Sequence, residues 1–203
     1  MKSRTFILIL ILTLLNGCTS QPNTSQPATV TPNVIARLNP SPTASNSTLP
    51  LTCQVTDLNI YINEVDGYCF AYPSRFTLGD QPSDKPDARG PAVDDSMEPI
   101  HATFRVEVSP GTTDKTLREQ AEAYLEELSV VDPATFTWSQ IQVNGEEAWR
   151  VEPVPAMLAY RIVFVQHNGY IFRLIYWPVD IPGAQPDLND LTQTTLGSFA
   201  FTK

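Results

Sequence analysis

The segment from Met157 to Trp177 constrains the fold more than any other stretch. It runs to His167, turns at Asn168-Gly169, and returns through Tyr170. In the two-residue hairpin register that Asn-Gly favours, Tyr160, Ile162, Phe164, Ile171, Ile175 and Trp177 share one face. Val163, Val165, Phe172, Leu174 and Tyr176 share the other. Strands that are apolar on both sides need cover on both sides, so they belong at the centre of a layered domain. The reading is an α+β fold, an antiparallel sheet flanked by helices.

The covering layers are readable in the same way. Thr116-Leu117-Arg118-Glu119 has the form of a capping box, and Leu117, Ala121, Tyr124, Leu125 and Leu128 follow on one helical stripe. A second helix is expected from about Asp187 to Gly197, burying Leu188, Leu191, Thr195 and Leu196. Strand alternation over Ala102, Phe104, Val106 and Val108 predicts another sheet member, and Phe136 to Val151 reads as a hairpin around Asn144-Gly145 that puts Trp138 opposite Val151. Nearer the N-terminus, Leu58, Ile60 and Ile62 alternate with Asn59, Tyr61 and Asn63, so the aliphatic set is expected to face inward. A two-residue turn at Asp66-Gly67 then sets Cys69 opposite Glu64. Gly79 to Pro99 reads as an exposed, solvated loop rich in Asp and Pro; it lacks the spacing of a calcium loop, and a cation site on its clustered carboxylates is the alternative.

Upstream of this domain the chain has a different grammar. Lys2 and Arg4 precede an apolar run from Phe6 to Leu15, which ends at Leu15-Asn16-Gly17-Cys18. As a helix the run covers about 15 Å, half of a bilayer's roughly 30 Å hydrocarbon core, so it is too short for a stable span. Residues 1–17 read as a signal peptide, and Leu15 to Cys18 resembles the bacterial lipobox. That resemblance implies cleavage before Cys18 and attachment of acyl chains, palmitate among them, to its thiol. More than one chain makes such an anchor durable. An ordinary signal peptide ending near a cysteine is the alternative. Residues 18–50 form a tether of Pro, Ser, Thr, Asn and Gln with one charge, Arg37, and no means of building a core. Residues 51–203 are the globular domain.

Charge and cysteine count bear on where this chain works. Its formal charge is -9, which loss of Lys2 and Arg4 takes to -11. Such a surface disfavours nucleic acid and anionic headgroups, so membrane attachment falls to the lipid on Cys18. Two cysteines remain, Cys53 and Cys69. An oxidising compartment permits a disulfide between them, worth about 3 kcal/mol in the chain-entropy model; two buried free thiols are the alternative.

Several of these segments together resemble a known group. Gly67-Tyr68-Cys69-Phe70-Ala71-Tyr72-Pro73, Asn144-Gly145 with Ala148, the aromatic-rich strand pair, and a closing helix running into Ser198-Phe199-Ala200-Phe201 resemble the PsbP-like family. PsbP itself is an extrinsic photosystem II subunit, and the wider group includes bacterial lipoproteins. The resemblance implies an α/β/α sandwich with a binding or assembly role and no catalysis. It supplies no functional-site residue, and the long acidic loop departs from the family pattern.

The side-chain inventory agrees with that expectation. His101 and His167 are the only imidazoles, one at a strand start and one beside a tight turn, and no nucleophile elbow, zinc helix or phosphate loop is present. No catalytic residue, metal ligand or cofactor is assigned. Arg161 and Arg173 stand out because each interrupts an apolar strand face; at a cleft, either could grip a carboxylate or phosphate, and the alternative is pairing with a Glu. The expected function is a lipid-anchored protein on the extracytoplasmic side of a bacterial membrane that binds an envelope protein or a small ligand. A two-carboxylate envelope hydrolase and a passive surface protein are the rivals.

Overall fold

The computed structural model describes residues 50–79, 85–93, 98–128 and 132–203. The expected signal peptide, the expected lipobox at Cys18 and nearly all of the expected tether lie outside them. The described chain is α+β, with antiparallel sheets and two α-helices.

Its larger sheet is built from β3 (Thr77–Leu78), β4 (Asp87–Ala92), β5 (His101–Pro110), β6 (Thr137–Val143), β7 (Glu146–Val154), β8 (Tyr160–His167) and β9 (Tyr170–Trp177). The order across it is β3-β4-β5-β9-β8-β7-β6, so the two-sided hairpin sits in the middle as its composition requires. Ile162 pairs with Ile175 and Val163 with Leu174, the predicted register. Both Asn-Gly turns have positive φ at both central residues, 51° and 83° at Asn144 and Gly145, and 47° and 80° at Asn168 and Gly169.

One face of this sheet is covered by α1 (Leu117–Leu128), which buries Ala121 and Leu125 against Val151, Ile162 and Phe164. Its capping box is formed, with Glu119 Oε2 accepting from Thr116 N at 2.7 Å and Glu119 N donating to Thr116 Oγ1 at 3.2 Å. Opposite lies α2 (Gln185–Ser198), which buries Leu188, Leu191 and Thr195. Beside α2 is a second sheet of β1 (Leu58–Asn63), β2 (Tyr68–Pro73) and β10 (Ala200–Phe201), in the order β1-β2-β10. Its aromatic face closes the core. Phe70 meets Phe104 edge-on at 5.0 Å, Phe104 stacks on Tyr176 at 4.7 Å, and Tyr68 lies against Phe172 and Phe199 at 5.9 and 5.5 Å.

The structure corrects two expectations about β1 and one about the acidic loop. Tyr61 and Asn63 face inward, and Ile60 and Ile62 are 39% and 40% exposed. The period is right but the phase is reversed, because the Tyr61 ring joins Phe70 at 5.2 Å while Asn63 Nδ2 bonds Tyr68 Oη at 3.3 Å. The β1–β2 turn is also longer than two residues. Asn63 pairs with Tyr68 and Ile62 with Cys69, so the turn spans residues 64–67 and Cys69 does not oppose Glu64. Gly67 closes it at φ +70°, where an added Cβ would lie 2.8 Å from the Lys203 side chain.

Preceding β1, the chain folds back through a short 3₁₀ turn, Leu51–Cys53, and Cys53 forms a disulfide with Cys69. The acidic stretch contains β4, and Asp87 is fully buried rather than solvated. Asp80, Asp84, Asp94 and Asp95 lie outside the described residues.

Candidate functional site

Strand alternation on β5, β8 and β9 points a defined set of side chains toward α1. Arg105, Glu107 and Ser109 alternate with the core residues Phe104, Val106 and Val108; Arg173, Ile175 and Trp177 come from β9, and Tyr160 and Ile162 from β8. Because α1 covers only part of this face, a cavity of about 130 Å³ remains beside its last turn. Arg105, Glu107, Tyr160, Ile162, Ile175 and Trp177 supply its sheet wall, while Tyr124 and Leu128 supply its helix wall. Leu128 is 45% exposed at its edge.

Polar groups in the wall are held in fixed positions. Buried Asp87 on β4 accepts from Arg105 Nε at 2.6 Å and Nη2 at 2.9 Å, a two-pronged bond that fixes the guanidinium plane. This carboxylate also raises the pKa of Arg105, outweighing the opposing effect of burial. The Arg105 guanidinium lies 5.3 Å from the Trp177 ring centroid, and Trp177 meets Tyr160 edge-on at 5.9 Å. On the helix side, Tyr124 Oη donates to Glu107 Oε2 at 3.4 Å. Burial, followed by the Glu107 charge, pushes the Tyr124 phenol up to about 12. It is therefore a neutral hydrogen-bond donor at ordinary pH.

Arg173 belongs to the surround of this cavity. Its Nη1 donates to Ser109 Oγ at 2.9 Å and its guanidinium lies 4.5 Å from the Tyr124 centroid. Its Nε sits 3.5 Å from Glu107 Oε2, an ion pair without hydrogen-bond geometry, since Nε has no hydrogen-bond partner. Arg161 lies on the opposite face, bonded through Nε to Glu152 and through Nη1 to Thr192 on α2 at 3.2 Å. The two arginines singled out in the sequence therefore do not share a site. Arg105 and Asp87 carry no signal in the sequence, because Arg105 occupies an ordinary polar position in an alternating strand and Asp87 is one of several acids in a proline-containing stretch. Only the bond between them marks either one.

The two imidazoles, and the tryptophans of the β6–β7 hairpin, have structural neighbours of their own. His167 stacks on Phe201 at 4.0 Å and its Nδ1 lies 3.0 Å from Glu146 Oε1, while His101 Nδ1 lies 2.9 Å from Gly90 O. Trp138 and Trp149 are half-buried and flank the Arg118 guanidinium, at 3.4 and 5.0 Å. Among the described residues, no three His, Cys, Asp or Glu are grouped to hold a metal ion, and no helix is long and apolar enough to cross a membrane.

No family model matches the chain, and no curated protein matches it in sequence. Among solved structures, it is similar to the solution structure of cyanobacterial PsbP (CyanoP) from Synechocystis sp. PCC 6803. The two are 15% identical with a TM-score of 0.46, over 72% of this chain and 94% of that one. It is also similar to a crystal structure from Bacteroides thetaiotaomicron VPI-5482, at 11% identity and a TM-score of 0.38. That match covers 72% of this chain and 49% of the other, so it spans about half of that protein. The α+β assignment rests on this chain's own strand order and layers.

Proposed function

We propose that this chain is a lipid-anchored extracytoplasmic protein, held to a bacterial membrane through Cys18, whose globular domain binds without catalysis. Its occupant at the α1-side cavity is a small amphipathic molecule or the side chain of an envelope partner. The observation that carries the binding reading is the wall itself: a guanidinium fixed by a buried carboxylate beside two aromatic rings. Apolar walls with a few fixed polar groups favour binding of an amphipathic group. Arg105 shares Asp87 with the more exposed Arg89, and Arg173 is paired with Glu107, so both arginines at the cavity already have a carboxylate and the wall favours an uncharged or zwitterionic group over a bare anion.

Each carboxylate nearest the cavity is engaged with an arginine, which supports binding over two-carboxylate hydrolysis. The disulfide supports an oxidising compartment, and the signal peptide with Leu15 to Cys18 supports the anchor.

Ligand-observed NMR of the full chain against a library of small amphipathic molecules tests the cavity. Hits should compete with one another and weaken at least about tenfold in Ile175→Phe, which fills the space. Hits indifferent to this change would overturn the assignment. The anchor is tested separately by cell fractionation, where Cys18→Ser should release the chain from membranes.

A further inference from the structure

We propose that β1 is an interface between two copies of this chain, paired edge to edge and antiparallel about Ile60. Among the described residues β1 pairs only with β2, and none of them pairs with its other edge. Open edges are ordinarily guarded by lysine, proline, a bulge or an inward-pointing charge. Leu58 to Asn63 contains no charge and no proline, and its register with β2 runs from Leu58 to Asn63 without a shift. Its outward face is aliphatic, with Ile60 and Ile62 exposed and Leu58 half-buried. The long edge of the larger sheet differs, since β6 exposes Thr137, Gln140 and Gln142.

The sequence of β1 favours a second copy as its cover. Pairing about Ile60 sets Ile60 against the copy's Ile60, Leu58 against Ile62, and Asn59 against Tyr61, so aliphatic meets aliphatic along the whole outer face. Beyond the strand, Asp57 falls opposite Asn63 and Glu64 opposite Thr56. No like charges oppose each other directly, which matters in a chain at -9. Pairing about Tyr61 would instead set Glu64 against Leu58. A partner recognising an acidic protein through charge would be basic, and β1 presents no charge to it.

A six-residue edge pair buries less than the roughly 1,200 Å² of a standard stable interface, so the dimer is weak in dilute solution. Confinement to a membrane raises the effective concentration, and in this respect the proposal rests on the Cys18 anchor.

The test uses the full chain in its own membranes. Ile60→Cys should oxidise to a species of twice the chain mass, about tenfold more than the Glu147→Cys control and more than Ile62→Cys, which faces Leu58 in this register. No excess over control, or an adduct of another mass, would overturn self-pairing; the latter would identify a different protein as the cover. If the new thiol disturbs the Cys53–Cys69 bond, sedimentation of the otherwise native chain in detergent decides. The native chain should populate dimer as concentration rises and Ile60→Lys should stay monomeric, whereas a native chain that stays monomeric, or equal behaviour of the two, would refute the interface. Adding Cys18→Ser to Ile60→Cys separates the two ideas. Continued membrane attachment would refute the anchor while leaving the crosslink comparison decisive for the interface.

Discussion

Asp87 fixes the cavity wall from behind. It is fully buried, accepts both prongs of Arg105 and is also reached by Arg89 at 3.4 Å, so Asp87→Ala leaves two guanidiniums without their shared counter-charge and opens a gap under β4. Arg105 is 31% exposed and can recruit water, which reduces the cost below that of a fully buried orphan charge. The expected loss is about 2–4 kcal/mol, read as a lower urea midpoint at unchanged slope. A loss under about 0.5 kcal/mol would mean that the pair is merely a surface contact. Tyr124 makes a second prediction. Its phenol holds its proton to about 12 when folded, against about 10 when the chain is unfolded. Between those values the unfolded chain has lost a proton that the native state keeps, so stability falls as pH rises through this window. Tyr176, buried against Thr195, is raised in the same direction by burial. Tyrosinate absorbance should show a late-titrating class on the folded protein, from which Tyr124→Phe removes one member; seven tyrosines ionising together near 10 would contradict the assignment.

At the level of elements, α1 depends on its cap because its exposed face contributes little packing. Thr116→Ala removes the hydroxyl that accepts from Glu119 N and donates to Glu119 Oε2, and leaves the Thr116 backbone N–H as the remaining donor to that carboxylate, which the backbone bond first and the hydroxyl second hold below the usual carboxylate range. The expected cost is about 1 kcal/mol by chemical denaturation. Reduction of Cys53–Cys69 should cost more, about 3 kcal/mol in the chain-entropy model for this separation of 16 residues. The bond ties the Leu51–Cys53 turn to β2, so hydrogen exchange on reduction should rise first in that turn and in β1, while β8 and β9 stay protected. Uniform loss of protection would show instead that the disulfide supports the whole core. Local pattern was sufficient for α1, whose capping box and stripe are contained between Thr116 and Leu128. It failed for the phase of β1, where Tyr61 and Ile60 are both plausible core residues and the choice depends on the aromatic cluster contributed by β2 and by β5, far along the chain.

For the whole molecule, net charge is the dominant long-range term. The exposed pair of Arg75 with Asp187 and Asp190 is worth little, so salt has little to take from it and more to give by screening a chain at -9. Raising ionic strength from about 0.01 M to 0.15 M shortens the screening length from about 30 Å to 8 Å and should raise Tm by about 1–4 °C. A falling Tm would point to ion pairs outweighing self-repulsion. The sequence by itself determined the central hairpin, the two Asn-Gly turns, both helices and the existence of layers on each side of the sheet, because each is encoded in a period or a turn motif spanning a few consecutive residues. Tertiary structure alone decided that Asp87 lies inside, that Arg105 and not Arg161 lines the cavity, that a second sheet shares a layer with α2, and that β1 turns its isoleucines outward. Those outcomes depend on which residues from distant segments meet, and a pair such as Asp87 and Arg105 acquires its meaning only when two strands put them within a hydrogen bond of each other.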